Sequence, residues 1–202
     1  KFAPVTAGWQ KWVTAQDRVR ELVRAGNVAE ARALHMTQGR VATAEIGKAL
    51  TEVIDYNNFL VKQTRDQAAE QYRNALTLYR KTGFVVGEAY TLKGLADIAY
   101  FSGRNDEALE TYQKAHEIFR SADYPLGQAD TLRRTGQLHL RRGNLSAVSE
   151  AYEAALPLYR KLKEPVGQAD IYKGLGDISY YNRHFSQALA MYAKALPLYV
   201  WA

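Results

Sequence analysis

Residues 87–108 read GEAYTLKGLADIAYFSGRNDEA, and the chain repeats that pattern twice. Residues 127–148 read GQADTLRRTGQLHLRRGNLSAV, and residues 167–188 read GQADIYKGLGDISYYNRHFSQA. The register holds at a spacing of forty: Gly87, Gly127 and Gly167; Ala89, Ala129 and Ala169; Tyr112, Tyr152 and Tyr192. Self-similarity at a fixed period of this size marks stacked supersecondary units that bury a shared core. Apolar residues fall at three and four within each unit, so the units are helical. In the first, a helix over 85–102 is expected, then a turn (GRND, 103–106) whose Asn105 or Asp106 caps a second helix over 105–122. Pro125 and Pro165 open the next two units, where a first-turn proline loses no helical hydrogen bond. The units are therefore 85–122, 125–161 and 165–200, in an all-α array.

Upstream, residues 1–8 read as a loose lead-in. Trp9, Trp12, Val13, Gln16, Val19, Leu22 and Val23 then mark one helical stripe, which Gly26-Asn27 stops. A short helix over 28–36 is expected to end at Gly39. From 41 to 81 the pattern predicts one long helix, or two with a slight break near 64–66. The expected division is an N-terminal helical segment, 1–66, and a repeat region, 67–202. The N-terminal segment reads as an atypical repeat acting as a cap, or as part of a helical bundle. Pro157 and Pro197 fall inside second helices at matching places, a position that normally costs ~3 kcal/mol.

The 202 residues are 47% hydrophobic and 24% charged, which is ordinary globular usage. There is no cysteine, so disulfides and thiolate metal sites are excluded. The net charge is +6, but Lys and Arg are interleaved with Asp and Glu through every repeat. That distribution fits solvated helix faces better than a nucleic-acid footprint. No apolar run approaches the ~18 residues of a membrane span. The chain begins with Lys1 rather than Met, so the expectation is a processed or excised piece.

The repeats resemble tetratricopeptide repeats. Leu92, Leu95-Ala96, Ala99, Ala108, Tyr112 and Ala115 match that family's pattern, as do Tyr172, Leu175-Gly176, Ser179, Ala188, Tyr192 and Ala195. The middle unit supplies Leu132, Thr135-Gly136, His139, Val148, Tyr152 and Ala155. A period of forty with Gly-x-Ala at the start of the first helix is similar to the extended subclass found in Pins-type adaptors, kinesin light chains and MalT-like regulators. Ala68, Tyr72 and Ala75 carry half of the pattern into a fourth unit; Asp55-Tyr56 stand where Leu-Gly is wanted. The resemblance implies an α-α superhelix whose first helices line a concave, partner-binding face. Residues 9–66, with AGNVAEAR and IDYNN, are similar to the four-helix ectodomains of bacterial chemoreceptors.

Catalytic chemistry finds little support. His35, His116, His139 and His184 form no metal-ligand spacing, and there is no phosphate loop or nucleophile elbow. The expectation is no enzyme, no metal and no cofactor. The better candidate is a ladder. If the family geometry holds, the inward positions are Tyr90, Asp130 and Asp170; Lys93, Arg133 and Lys173; Asp97, Gln137 and Asp177, continued by Asn57; and Tyr100, Leu140 and Tyr180. Cations beside carboxamides and carboxylates, with an aromatic edge, suit an extended peptide. Against this stands a plainer arrangement, in which Lys93–Asp97, Arg133–Gln137 and Lys173–Asp177 satisfy one another as i,i+4 pairs. The expected partner is a protein or peptide. Self-association is expected through the N-terminal helices or the uncapped C-terminal helix, 195–202, which is apolar. The alternative is the input domain of a bacterial signalling protein. The expected compartment is cytoplasmic for the first reading and periplasmic for the second.

Overall fold

The computed structural model describes residues 3–200, so the ends of the lead-in (Lys1, Phe2) and of the apolar C-terminal edge (Trp201, Ala202) lie outside the described residues. It divides into two compact units, 1–66 and 67–202.

The first unit holds α1 (Ala3–Arg24), α2 (Val28–Leu34), a π-helical turn (His35–Gly39) and the start of α3 (Arg40–Thr82). Two expectations need correction. Residues 3–8 are the first turns of α1 rather than a loose lead-in. Gly39 does not end a helix: Leu34, His35 and Arg40 all keep right-handed helical backbone, and the chain runs through a π turn into α3. Gly26 does end α1, at φ 80°, a conformation that glycine adopts without a Cβ penalty. The buried seam is thin. It consists of Ala15, Leu22, Ala31, Ala42, Ala49 and Val53. Small residues bring the helices close; a Cβ on Gly8 would stand 2.8 Å from the Ile46 side chain. Trp9, Val41, Leu50, Ile54 and Phe59 remain exposed. Helix α3 continues to Thr82 with no break at 64–66.

The second unit carries three hairpins: α4 (Val85–Phe101) with α5 (Asn105–Ser121), α6 (Pro125–Arg141) with α7 (Leu145–Leu162), and α8 (Pro165–Tyr181) with α9 (Phe185–Val200). The partners of each hairpin pack together, α5 packs on α6, and α7 on α8. First helices also meet in succession, α4 with α6 and α6 with α8. The core repeats with them. Ala89, Leu92, Ala115 and Phe119 form one cluster, Ala96, Ala99, Ala108, Tyr112 and Leu138 the next, and Ala129, Val148, Tyr152, Ala155, Tyr159 and Ile171 a third.

The turns show what the repeat tolerates. Between the helices of a pair, Gly103 and Gly143 take positive φ, and Arg183 is forced into the same conformation at φ 60°. Between pairs the series is Gly83, Asp123 and Lys163. Capping differs from expectation in the first pair. Arg104, with no side-chain capping bond, holds the position before α5, whereas its counterpart Asn144 accepts from the Ala147 N–H at 3.3 Å. Pro157 and Pro197 both lie inside their helices.

Candidate functional site

The Asp residues of the predicted ladder are held by tyrosines from the second helices. Tyr112 donates its hydroxyl to Asp97, and Tyr192 donates to Asp177 at 2.8 Å. About two turns nearer the start of the first helices, Tyr159 donates to Asp130 at 2.7 Å and Tyr199 to Asp170 at 2.6 Å. Burial first and the facing carboxylate second push the Tyr192 and Tyr199 phenols up to about 12, so both remain donors. The first hairpin substitutes an aromatic solution. Phe119 lacks the hydroxyl, and Tyr90, standing where Asp130 and Asp170 stand, meets its ring edge-on at 4.9 Å. The Tyr90 hydroxyl turns to that of Tyr124, 3.4 Å away.

Cations of the ladder are also engaged, in two different ways. Lys93 and Lys173 sit 3.6 Å and 2.8 Å from Asp97 and Asp177, as the plainer i,i+4 arrangement requires. Arg133 does not pair with Gln137. Its side chain is 14% exposed, its Nη1 donates to Asp170 of the next hairpin at 2.8 Å, and its Nε donates to Tyr159 at 3.1 Å. The expectation that Arg133 stands free for a guest's carboxylate is therefore corrected: it is a strut between hairpins. Arg134 takes the predicted partner instead, donating to Gln137 Oε1 at 3.1 Å.

Two recesses lie along this face. The larger, 780 Å³, is lined by Tyr72, Tyr79, Phe84, Tyr90, Lys93, Gly94, Asp97 and Tyr124 among others. The second, 620 Å³, brings together Tyr100, Gln137, Leu140, Asp170, Lys173 and Asp177 with Arg134, Arg141, Tyr152, Gly174 and Tyr181. They are related by the repeat: Tyr72, Lys93, Gly94 and Asp97 correspond to Tyr152, Lys173, Gly174 and Asp177, eighty residues on. Each is open because a glycine faces a tyrosine ring. A Cβ on Gly174 would lie 2.5 Å from the Tyr152 ring, and one on Gly94 2.6 Å from that of Tyr72. At the intervening seam the same position is Arg134, whose guanidinium stands 3.2 Å from Asp97 and fills the space beside Tyr112.

Of the residues named from the sequence, Tyr90, Lys93 and Asp97 line one recess, and Tyr100, Gln137, Leu140, Asp170, Lys173 and Asp177 line the other. Asp130 and Arg133 line neither. Tyr180 lies outside both, 55% exposed, with its ring against Tyr181 and Phe185. Asn57 belongs to the first compact unit. Arg134, Arg141, Tyr152, Gly174 and Tyr181 were missed. The signal for Arg134 was present, since it breaks the Gly94–Gly174 series. Among the described residues, no group of three or more His, Asp and Glu is arranged to hold a metal, and no helix is long and apolar enough to cross a membrane.

A tetratricopeptide repeat model matches residues 58–121 and 87–161. The chain belongs to the tetratricopeptide repeat family. A second model, the four helix bundle sensory module for signal transduction, matches residues 1–72. Among solved structures, the crystal structure of BtubC (BKLC) from P. vanneervenii is similar in fold. It has a TM-score of 0.60 at 20% identity, over 98% of this chain and 90% of that one. No curated protein matches. In this tetratricopeptide array, then, the face that carries the sequence ladder holds two glycine-floored recesses, and tyrosines and arginines engage most of its carboxylates.

Proposed function

We propose that the repeat region is an interaction module that holds an extended peptide segment of a partner protein along the first helices, with no reaction of its own. The observation that carries this reading is the convergence of Tyr100, Gln137, Lys173 and Asp177, chosen from sequence periodicity, on one 620 Å³ recess. Aromatic walls with a few polar groups at the floor are the ordinary make-up of a peptide subsite. Lys93 and Lys173 are the ladder cations whose removal leaves the hairpin struts in place. The double variant Lys93→Ala/Lys173→Ala should weaken capture of peptides from a random octapeptide bead library at least tenfold and leave the melting curve near that of the parent. Unchanged capture overturns the assignment of this face.

A second reading, a signalling input domain, is favoured by the sensory-module match over 1–72 and by the exposed Trp9, Leu50 and Ile54. It predicts a dimer in sedimentation that Leu50→Glu/Ile54→Glu converts to monomer. A monomeric parent chain removes it.

A further inference from the structure

Where α8 meets α7 and α9, one tyrosine gathers two cations. Arg160 Nη2, from α7, donates to the Tyr172 hydroxyl, and its guanidinium carbon lies 6.0 Å from the Tyr172 ring centroid. The Lys194 ammonium, from α9, lies 5.6 Å from the same centroid. Eighty residues back the three positions hold Arg80, Leu92 and Lys114. Those cations are neutralised: Arg80 donates to Glu88 at 2.8 Å, and Lys114 to Glu110 at 2.6 Å. In the third hairpin, Gln168 stands at the Glu88 position and Ala190 at the Glu110 position. Both carboxylates are lost, and neither Arg160 nor Lys194 forms an ion pair with a described residue.

A hydroxyl is gained on the hairpin that loses the carboxylates. Leu92, 7% exposed, serves only to fill the core. Tyrosine at 172 adds a polar tip, whose oxygen accepts from Arg160 while its own hydrogen stays available. Arg160 uses one of its five N–H hydrogens there, and Lys194 donates none of its three to a described residue. Cation–π attraction explains why both side chains approach the ring, but a ring carries no net charge to neutralise them. The middle hairpin does not build the cluster, since Leu132 and Ala154 leave Arg120 with neither a hydroxyl nor a second cation at those positions. Tyr172 lines neither of the two recesses, although its neighbour Lys173 lines the second.

We infer that Arg160, Tyr172 and Lys194 form a binding site for the dianionic phosphate of a phosphomonoester. Such a group carries a charge of about −1.5 to −2 at neutral pH and three strong acceptor oxygens. Two unpaired cations match that charge, whereas a single carboxylate would leave one of them uncompensated. The guanidinium fork suits two phosphate oxygens, and the phenol and the ammonium supply donors for the third. The phosphate can arrive on a modified residue of a partner or on a small molecule; the chemistry that holds it is the same. This site is separate from the peptide-binding face proposed above, and the failure of either leaves the other standing.

Two probes test it on the full chain at constant ionic strength: inorganic phosphate, and a glycine heptapeptide with one central phosphoserine. In amide NMR spectra at pH 7.5, at least one probe should shift the resonances of Arg160, Tyr172 and Lys194 saturably, and the unphosphorylated heptapeptide should not. Gln168→Glu/Ala190→Glu restores the two carboxylates of the first hairpin while keeping both cations and the ring. It should weaken binding at least tenfold with a melting curve near the parent's. Arg160→Gln/Lys194→Gln should weaken it as much, and carries the test alone if the first variant melts early. A response to both probes upholds a site that recognises the phosphate itself. A response to inorganic phosphate alone assigns it to a small molecule, and one to the phosphopeptide alone to a modified partner. The site is overturned if neither probe moves these resonances, or if a folded variant responds as the parent does.

Discussion

Two seams of the same array are built to different ends. Between the first and second hairpins, Tyr112, Asp97 and Arg134 close on one another, and Arg141 reaches back to the Tyr100 carbonyl. Between the second and third, Gly174 takes the place of Arg134, Gln137 that of Asp97, and a recess is left at Tyr152. The backbones are repeats of each other, so the contrast comes from two side chains. One exchange removes bulk and the other removes a carboxylate. A solenoid can thus vary its surface one seam at a time while each hairpin keeps its packing.

The most forceful way to break the contrast is Gly174→Arg, which copies the closed seam onto the open one. Its Cβ would meet the Tyr152 ring at 2.5 Å, inside a core where overpacking costs about 1–3 kcal/mol. Urea unfolding should show a loss near the top of that range. A smaller effect separates the two tyrosines. Tyr112→Phe removes a hydrogen bond to a carboxylate and should cost about 1.5 kcal/mol in urea unfolding, by the usual magnitude for such bonds. Tyr152→Phe should cost almost nothing, and equal losses would deny that the middle hydroxyl is unbonded.

The smallest effect is in pH. At the first seam His116 Nδ1 lies 3.0 Å from Thr131, where the second seam has Leu156 and Ile171. Burial lowers the His116 pKa below its ordinary 6.5, with Arg120 adding to the shift. The unfolded chain therefore binds a proton before the folded one does. Stability should be full above pH 6.5 and fall as the pH drops, levelling below the folded-state pKa. His139, also lowered by burial, contributes in the same direction. His116→Gln should flatten part of the dependence of melting temperature on pH between 7 and 5. An unchanged slope would remove His116 as a source.

The hairpins were legible in the sequence because a forty-residue period with helical spacing leaves little else to build. Less legible was the chemistry of the ladder. Periodicity shows which residues share a helix face, but not which neighbour reaches them first. Asp130 and Asp170 look like ligand contacts until Tyr159 and Tyr199, twenty-nine residues away, are seen bonded to them. Arg133 looked interchangeable with Lys93 and Lys173, yet its forked guanidinium spans to Asp170 where an ammonium stays with its own helix. The departures from the repeat carried the information. Arg134 breaks a glycine series and Gln137 an aspartate series. Gly39 misled because a π turn can carry a helix past a residue that usually stops one.

Asp170 serves two hairpins at once, taking a hydroxyl from Tyr199 of its own and a guanidinium from Arg133 of the one before. Through it, the docking of α9 and the seating of α8 on α6 share a single anion. Neutralising that anion would loosen both contacts together, so amide hydrogens in α6 and α9, which belong to different hairpins, would exchange faster in step. A chain of separable modules is in this way made to open as a larger cooperative block at its C-terminal end.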